Sequence, residues 1–192
     1  MRICVFCGSN TGRGDSYMKA SFELGALLAD LGYGVVYGGA RDGTMGAVAN
    51  GAMSKGGEAI GVLPRQLFEL EQAHPNLTKL HVVDSMHERK RIMHDLSDAF
   101  ICMPGGIGTM EETFEVWTWT QLGVHRKPLA FYNVNGFYDA LERFFDVMVE
   151  EGFVRDVHRQ MALTGEDPRQ LIEDLMQYEP PQVKKWLTPE ER

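Results

Sequence analysis

The sequence has few cysteines, no long apolar run and no excess of basic side chains, and each absence excludes a class of protein. Three cysteines among 192 residues are too few for a disulfide framework. No apolar run approaches the roughly 18 residues of a membrane-spanning helix, and the first apolar stretch is too short for a signal peptide. A net charge of −8 at pH 7 argues against nucleic-acid and membrane partners, which favour a basic surface. We therefore expect a single cytoplasmic domain.

The cysteines and histidines do not form the pattern of a metal or redox site. Cys4 and Cys7 have the C-x-x-C spacing of such sites, but both belong to a predicted buried strand. Because residues an odd number apart point to opposite faces of a strand, we interpret them as small buried hydrophobic residues. His87 and His94 are expected on the solvent-facing side of a helix. The sequence therefore predicts neither a metal site nor a cofactor.

Short apolar runs alternate with helical patterns along almost the whole chain. The predicted strands are residues 3–7, 35–37, 59–63, 80–83, 99–103 and 129–132. The predicted helices are residues 16–31, 44–55, 86–97, 109–122, 138–151 and 168–177. This alternation predicts an α/β fold, in which a doubly wound, mostly parallel, Rossmann-like sheet is flanked by helices. We assign residues 1–179 to this domain and residues 180–192 to a C-terminal tail.

Glycine is the residue in excess, with 21 copies, and it is concentrated directly after predicted strands, in residues 8–14, 38–46 and 104–109. Ligands of doubly wound sheets bind beyond the carboxyl ends of the strands, where exposed N–H groups favour an anion such as phosphate. One glycine turn is equally well explained as structural, whereas three at one edge favour a ligand site. None continues into the Gly-Lys-Ser/Thr of a Walker A loop. The pattern favours a mononucleotide or a sugar phosphate.

Arg89 is the first charged residue in an unfavourable place. The helical pattern of residues 86–97 puts it at the centre of an apolar stripe, whose members are Met86, Ile92, Met93 and Leu96. An arginine that faces inward is costly unless it meets an anion or several acceptors. The helix dipole also disfavours a cation in the first half of a helix. We expect a compensating partner, which is either a bound anion or a structural salt bridge.

Glu112 is the second charged residue in an unfavourable place. Thr109 and Glu112 have the spacing of a capping box, in which each side chain satisfies a backbone N–H group of the other. However, the helix predicted over residues 109–122 is apolar around most of its circumference, so Glu112 faces a packed environment beside a glycine loop. A carboxylate there can stabilise positive charge developing on a sugar or orient a water. Glu111 and Glu115 are expected to meet solvent or a partner subunit.

Two motifs in these segments carry a family resemblance. Residues 104–112 match P-G-G-x-G-T-x-x-E and residues 86–90 match M-x-x-R-K. With supporting matches at residues 7–9, 37–39 and 119–123, the chain resembles the Lonely Guy (LOG) family of cytokinin riboside 5′-monophosphate phosphoribohydrolases over about residues 3–178. Ala40 stands where the family usually has a third glycine, and its methyl group is expected to narrow the phosphate loop slightly.

The resemblance implies hydrolysis of the N-glycosidic bond of cytokinin riboside 5′-monophosphates and AMP to free base and ribose 5-phosphate. It implies a catalytic pair, Arg89 and Glu112, and a homodimer or larger homo-oligomer. The residues it implies for substrate binding are Ser9, Gly39, Gly43, Thr44, Met86, Lys90, Gly105, Gly106, Ile107, Gly108, Thr109, Met110, Glu111 and Thr118. Glu71 is a further candidate for ligand contact.

Two alternatives remain open at this point. One is a broader purine or pyrimidine nucleotide nucleosidase that acts in salvage, and the other is a non-catalytic nucleotide or cofactor carrier on the same fold. Lysine decarboxylation is not supported, because no pyridoxal-phosphate lysine motif is recognisable. The predicted helix that carries Trp117 and Trp119 is too apolar to be left exposed, which independently favours an oligomer.

Overall fold

The computed structural model describes residues 1–68, 72–179 and 181. Its centre is one sheet of seven strands in the order β4-β3-β2-β1-β5-β6-β7, with every neighbouring pair parallel. The strands are β1 (Arg2–Phe6), β2 (Gly34–Tyr37), β3 (Ala59–Pro64), β4 (Lys79–Val83), β5 (Ala99–Cys102), β6 (Leu129–Tyr132) and β7 (Ala162–Gly165). The predicted fold class is confirmed. The strand order reverses between β1 and β5, which is the place where ligands bind in such sheets.

Helices cover both faces of this sheet. They are α1 (Ser16–Asp30), α2 (Gly43–Ser54), α3 (Met86–Asp95), α4 (Ile107–Gln121), α5 (Asp139–Glu150), α6 (Asp156–Arg159) and α7 (Pro168–Gln177). Residues of α1, α2 and α7 belong to the hydrophobic core on one face, and residues of α3, α4 and α5 belong to the core on the other. No helix in the described part of the chain is long and apolar enough to cross a bilayer.

The five inner strands, β1, β2, β3, β5 and β6, consist mainly of consecutive apolar residues because both faces of the sheet are covered there. In β1, Ile3 and Val5 pack into one core while Cys4 and Phe6 pack into the other. Cys7 packs into the same core as Ile3, so Cys4 and Cys7 point to opposite faces of the sheet as predicted. All three cysteines are free and buried, and burial raises the pKa of each thiol. These thiols therefore stay protonated and unreactive.

The sequence pattern missed two short elements near the carboxyl terminus, β7 and α6. β7 has four residues of mixed burial and depends on pairing with β6, in which Leu129 faces Ala162. α6 is a single turn. Elements of this length carry too few residues for a periodicity to be recognised. Of the predicted tail, residues 180–192, only Pro181 lies among the described residues.

The expectation that His94 faces solvent is wrong, although His87 is exposed as predicted. The His94 ring packs against Phe100, Trp119 and His125, with ring centroids 5.8, 5.3 and 4.7 Å away. A helical wheel of α3 alone could not predict this packing, because the contacting rings belong to β5, to α4 and to the segment after α4. Within the described residues, no group of three or more His, Cys, Asp or Glu side chains could hold a metal ion.

The imidazole of His125 makes the stability of the fold depend on pH. Burial, together with the nearby His94 and Lys127, lowers the pKa of His125 to about 4, from about 6.5 in an unfolded chain. The neutral form is therefore the one that the fold stabilises, and this contribution is complete above the unfolded pKa and lost as the pH falls through the folded pKa. We expect the free energy of unfolding to decrease by on the order of 2 kcal/mol from this residue between neutral pH and the folded pKa.

Urea denaturation at several pH values between neutral and acidic measures this effect. His125→Gln removes the titrating group, so its unfolding free energy should depend less steeply on pH than that of the parent. Identical pH profiles for the two proteins would contradict this account of His125.

α1 and α2 approach each other at glycines. A Cβ atom at Gly25 would lie 2.0 Å from the carbonyl oxygen of Val48, and one at Gly51 would lie 2.0 Å from that of Phe22. Inside an isolated helix, replacing glycine by alanine stabilises by roughly 0.5–1 kcal/mol. Here we expect the opposite sign for Gly25→Ala, a loss of about 3 kcal/mol, because the two helix backbones must move apart.

Chemical denaturation of the purified variant measures this loss. Lys19→Ala lies on the exposed side of α1 and serves as the control, with an expected change within about 0.5 kcal/mol. A Gly25→Ala variant as stable as the parent would show that the contact between α1 and α2 adapts without cost.

Candidate active site

A cavity of about 500 Å³ opens at the carboxyl ends of β1 and β5. Residues 7–12, which follow β1, and residues 104–109, which follow β5, form much of its wall. The side chains of Arg89 and Glu112 also line it. Two of the predicted glycine-rich loops thus meet at the switch point of the sheet, as expected for a doubly wound fold.

Helix α4 presents its amino terminus to this cavity. The helix begins at Ile107, and its N-cap, Gly106, has extended backbone angles and supplies no side-chain cap. The first N–H groups of a helix have no partner within the helix, and together with the helix dipole they favour a bound anion. The capping-box alternative for Thr109 and Glu112 is wrong, because the helix begins at Ile107 and its N-cap is Gly106, three residues before Thr109. Thr109 is therefore inside the first turn and not at the cap.

Arg89 of α3 is held in the wall of the cavity by acceptors on three sides. It is only 6% exposed, its Nε donates to the carbonyl of Val62 at 3.1 Å, and its Nη2 donates to that of Gly38 at 3.2 Å. Its Nη1 lies 3.7 Å from Oε1 of Glu112. A Cβ at Gly38 would lie 2.1 Å from Nη2 of Arg89, so a larger residue there would displace the guanidinium from this position. The predicted compensating partner of Arg89 is confirmed, and it includes a salt bridge.

Glu112 of α4 is also buried, with 8% of its surface exposed. At 3.7 Å the carboxylate and the guanidinium attract each other beyond the usual hydrogen-bond distance. Charge interactions are stronger in such a water-poor environment than at the surface. A guanidinium, a carboxylate and the amino terminus of α4, which has no side-chain cap, therefore share one cavity.

Comparison with known proteins identifies the family that has these features. A family model described as "Possible lysine decarboxylase" matches residues 45–175. "Cytokinin riboside 5′-monophosphate phosphoribohydrolase LOG" of Oryza sativa subsp. japonica is 44% identical over 93% of this chain and 74% of its own length. "Cytokinin riboside 5′-monophosphate phosphoribohydrolase LOG7" of Arabidopsis thaliana is 41% identical over 93% of this chain and 82% of its own length. The chain belongs to the LOG family.

Solved structures with the same fold have lower sequence identity to this LOG-family chain. The molybdenum cofactor binding protein of Rippkaea orientalis superposes with a TM-score of 0.70 at 22% identity, covering 91% of this chain and 94% of that one. The molybdenum cofactor carrier protein of Chlamydomonas reinhardtii superposes with a TM-score of 0.67 at 20% identity, covering 92% of this chain and 96% of that one. These similarities establish the fold alone.

Lys90, the next residue of the M-x-x-R-K motif, lies outside the cavity wall. Its ammonium group contacts Glu111 at 2.5 Å and Glu115 at 3.1 Å, both on α4. Burial lowers the pKa of Lys90, but the hydrogen bonds to these carboxylates outweigh burial, and the pKa is raised. Glu111 and Glu115 thus pair with Lys90, and Glu111 is also exposed to solvent as expected, while Glu115 is half-buried. The ion pairs join α3, which carries Arg89, to α4, which carries Glu112.

The structure gathers most of the predicted site residues around the cavity. Those that line it are Ser9, Thr44, Met86, Arg89, Gly105, Gly106, Ile107, Gly108, Thr109, Glu111 and Glu112. Those that do not line it are Gly39, Gly43, Lys90, Met110 and Thr118. Thr118 is exposed on α4, roughly 16 Å along the helix from its first residue. Glu71 lies outside the described residues.

The hydroxyl of Thr44 joins the first two glycine-rich loops. It accepts a hydrogen bond from the N–H of Gly8 at 2.8 Å and donates one to the Gly8 carbonyl at 3.0 Å. Ala40, in the second loop, is fully buried in the core and does not line the cavity. The slight narrowing of the phosphate loop by its methyl group stays a prediction.

The tryptophans of α4 pack against other parts of the same chain. The Nε1 of Trp117 donates to the carbonyl of His158 at 3.0 Å, and its ring packs edge-on against Phe145 at 4.9 Å. Trp119 packs against His94. Trp117 is thus buried within one chain and needs no partner subunit, whereas Trp119 is half-buried. The oligomer that the apolar helix favours stays a prediction.

Sequence reasoning missed an aromatic side of the cavity. Tyr17 of α1 and Phe137 both line it, with their rings edge to face and 5.8 Å apart. Phe137 follows β6, so the rule that sites form beyond the carboxyl ends of strands could have found it. Residues 133–137 contain one glycine, fewer than each of the three glycine-rich segments, so the glycine pattern does not mark this turn.

Proposed function

We propose that this LOG-family protein hydrolyses the N-glycosidic bond of cytokinin riboside 5′-monophosphates and AMP to free base and ribose 5-phosphate. The observation that carries this proposal is the buried pair of Arg89 and Glu112, 3.7 Å apart, beside an uncapped helix terminus. The names of the two plant relatives support the substrate class. The three unpaired cysteines support a reducing, cytoplasmic location.

The 5′-phosphate would bind at the amino terminus of α4, where Gly105, Gly106, Ile107, Gly108 and Thr109 bring their backbone to the cavity. This placement follows from the attraction between an anion and the first N–H groups of a helix. Ser9, Thr44 and Met86 complete the binding surface within the chain. Lys90 and Glu111 contribute by holding α3 and α4 together.

Cleavage of a glycosidic bond develops positive charge on the C1′ side of the sugar and negative charge on the departing base. Glu112 would stabilise the cationic ribose, bind its hydroxyl groups or position the attacking water. An arginine does not release its proton in a protein, so Arg89 would act electrostatically on the base or the phosphate. Proton transfer to the departing base is left to another group.

We further propose a homodimer or larger homo-oligomer. Leu122 and Val124, at the end of α4, are exposed apolar residues, and they lie near Thr118, which the family resemblance associates with substrate. A partner subunit would cover this end of α4. Sedimentation of the pure protein tests the proposal, and a monomer at micromolar concentration would contradict it.

Lysine decarboxylation by pyridoxal phosphate is not favoured by the cavity. Such chemistry requires a lysine that forms a Schiff base, and no lysine lines the described part of this cavity. Lys90, the nearest lysine in sequence to Arg89, is paired with two carboxylates.

Incubation of the pure protein with AMP, isopentenyladenosine monophosphate, GMP, CMP and UMP, followed by chromatography, tests the function. We expect free base and ribose 5-phosphate, with the highest kcat/KM for the N6-substituted adenine nucleotide. Similar kcat/KM values for all five would instead indicate a salvage nucleosidase. Tight binding without any release of base would contradict hydrolysis and indicate a carrier.

A further inference from the structure

A buried network of hydrogen bonds lies beneath the loop of residues 104–109. Tyr138, which is 1% exposed, donates its hydroxyl hydrogen to the carbonyl of Met103 at 2.6 Å. Met103 directly precedes the loop. The Sγ of Cys102 lies 3.1 Å from the same hydroxyl, and because burial raises the pKa of this thiol to about 12, it keeps its hydrogen and can donate to the phenol oxygen.

The network also reaches the far end of the loop. The hydroxyl of Thr113, which is fully buried, donates to the carbonyl of Thr109 at 2.7 Å and lies 3.0 Å from Sγ of Cys102. Thr109 is the last residue of the loop and belongs to the first turn of α4. Tyr138, Cys102 and Thr113 therefore form one network. It contacts Met103, directly before the loop, and Thr109, the last residue of the loop.

Tyr138 is itself held rigidly. Its backbone N–H donates to Oδ1 of Asn133 at 2.7 Å, and Nδ2 of Asn133 donates to Asp139 at 2.8 Å. Its ring packs edge-on against Phe131 at 5.1 Å and against Phe137 at 4.9 Å. The ring thus packs in the core, while the hydroxyl makes directed contacts to the base of the loop.

We propose that Tyr138 is a positioning residue for the phosphate-binding loop. Its hydroxyl orients the backbone N–H groups of residues 105–109 by holding the base of the loop. The residue does not touch the substrate. Binding sites need their donors within about 0.5 Å of the productive geometry, and loss of the phenol hydroxyl would leave the buried Met103 carbonyl without this donor. That the anion is the 5′-phosphate of a nucleotide rests on the proposed function.

Tyr138→Phe tests the proposal, because it removes the hydroxyl and keeps the ring. Tyr178→Phe is the matched control, since the Tyr178 hydroxyl also donates to a main-chain carbonyl, that of Gln160 at 3.1 Å, outside the cavity. For Tyr138→Phe we expect the KM for AMP to rise about five- to tenfold, as for one lost hydrogen bond, with kcat changed less than about twofold. The affinity for adenosine, which lacks the phosphate, should not change.

Amide hydrogen exchange of residues 103–109 in the full chain gives a readout that needs no ligand. We expect faster exchange in Tyr138→Phe than in the parent or Tyr178→Phe. Unchanged exchange together with an AMP KM equal to that of Tyr178→Phe would overturn the proposal. If Tyr138→Phe does not fold, Thr113→Val should show the same changes, and their absence in that variant would also overturn it.

Failure of the proposed function would be recognised separately. A parent protein that binds AMP but releases no adenine would refute hydrolysis and leave the loop's role measurable. In that case the dissociation constant of AMP from calorimetry replaces KM. We expect it to be about five- to tenfold higher in Tyr138→Phe than in Tyr178→Phe, and equal values together with unchanged hydrogen exchange would overturn the proposal. A parent that binds no AMP leaves hydrogen exchange as the deciding measurement.

Discussion

Glu112→Gln is expected to lower kcat for release of adenine from AMP by about 100- to 1000-fold, the usual cost of removing a charged group that acts in the transition state. Glutamine has nearly the same shape but no charge, so it keeps the packing around α4 and loses the attraction to a cationic ribose. The substrate phosphate binds elsewhere in the proposed complex, so KM should change much less than kcat.

Chromatographic measurement of adenine, together with thermal unfolding of the same preparation, checks this result. Glu115→Gln is the matched control, because Glu115 lies one turn further along α4, pairs with Lys90 and does not line the cavity. A folded Glu112→Gln protein with a kcat close to that of Glu115→Gln would show that Glu112 has no catalytic role.

Arg89→Met is expected to lose a similar factor of about 100- to 1000-fold in kcat/KM and also to destabilise the fold by about 3 kcal/mol. The stability loss arises because Glu112 stays buried without the guanidinium, while the carbonyls of Gly38 and Val62 lose a donor each. Activity and stability therefore change together in this variant. We expect a smaller stability loss in Glu112→Gln, because the Arg89 guanidinium keeps its two carbonyl acceptors there.

Arg89→Lys separates the two effects. A lysine keeps the positive charge beside Glu112 but cannot reach Gly38, Val62 and Glu112 together, because a single ammonium replaces the planar fork of the guanidinium. We expect most of the stability to return while most of the activity stays lost. Arg91→Met, at an exposed position of the same helix, is the control and should behave as the parent. An Arg89→Lys protein with parental kcat/KM would show that charge alone is sufficient.

Comparison of the two active-site helices shows why one part of the site was predictable and another was not. The inward position of Arg89 follows from the spacing of apolar residues around it, which is a local property of α3. Its acceptors follow from the packing of α3 against the ends of β2 and β3, and Val62 and Gly38 are 27 and 51 residues away in the chain. No periodicity contains that information.

The start of α4 illustrates a different kind of error. The spacing of Thr109 and Glu112 fits a capping box, yet the two glycines before Ile107 allow the helix to begin earlier. The local motif does mark a helix terminus, but the observed N-cap, Gly106, lies three residues before Thr109. The consequence is functional, because an uncapped terminus leaves N–H groups for an anion.

The sequence by itself determined the parallel α/β architecture, the family and the segments that meet at the site. These features depend on neighbouring residues, such as runs of apolar residues in strands and glycines directly after them. The tertiary structure alone decided the partners: Glu112 with Arg89, Glu111 with Lys90, and Tyr138 with the Met103 carbonyl beneath the loop of residues 104–109. Such pairs join helices and strands far apart in the chain, and their geometry exists only once both faces of the sheet are packed.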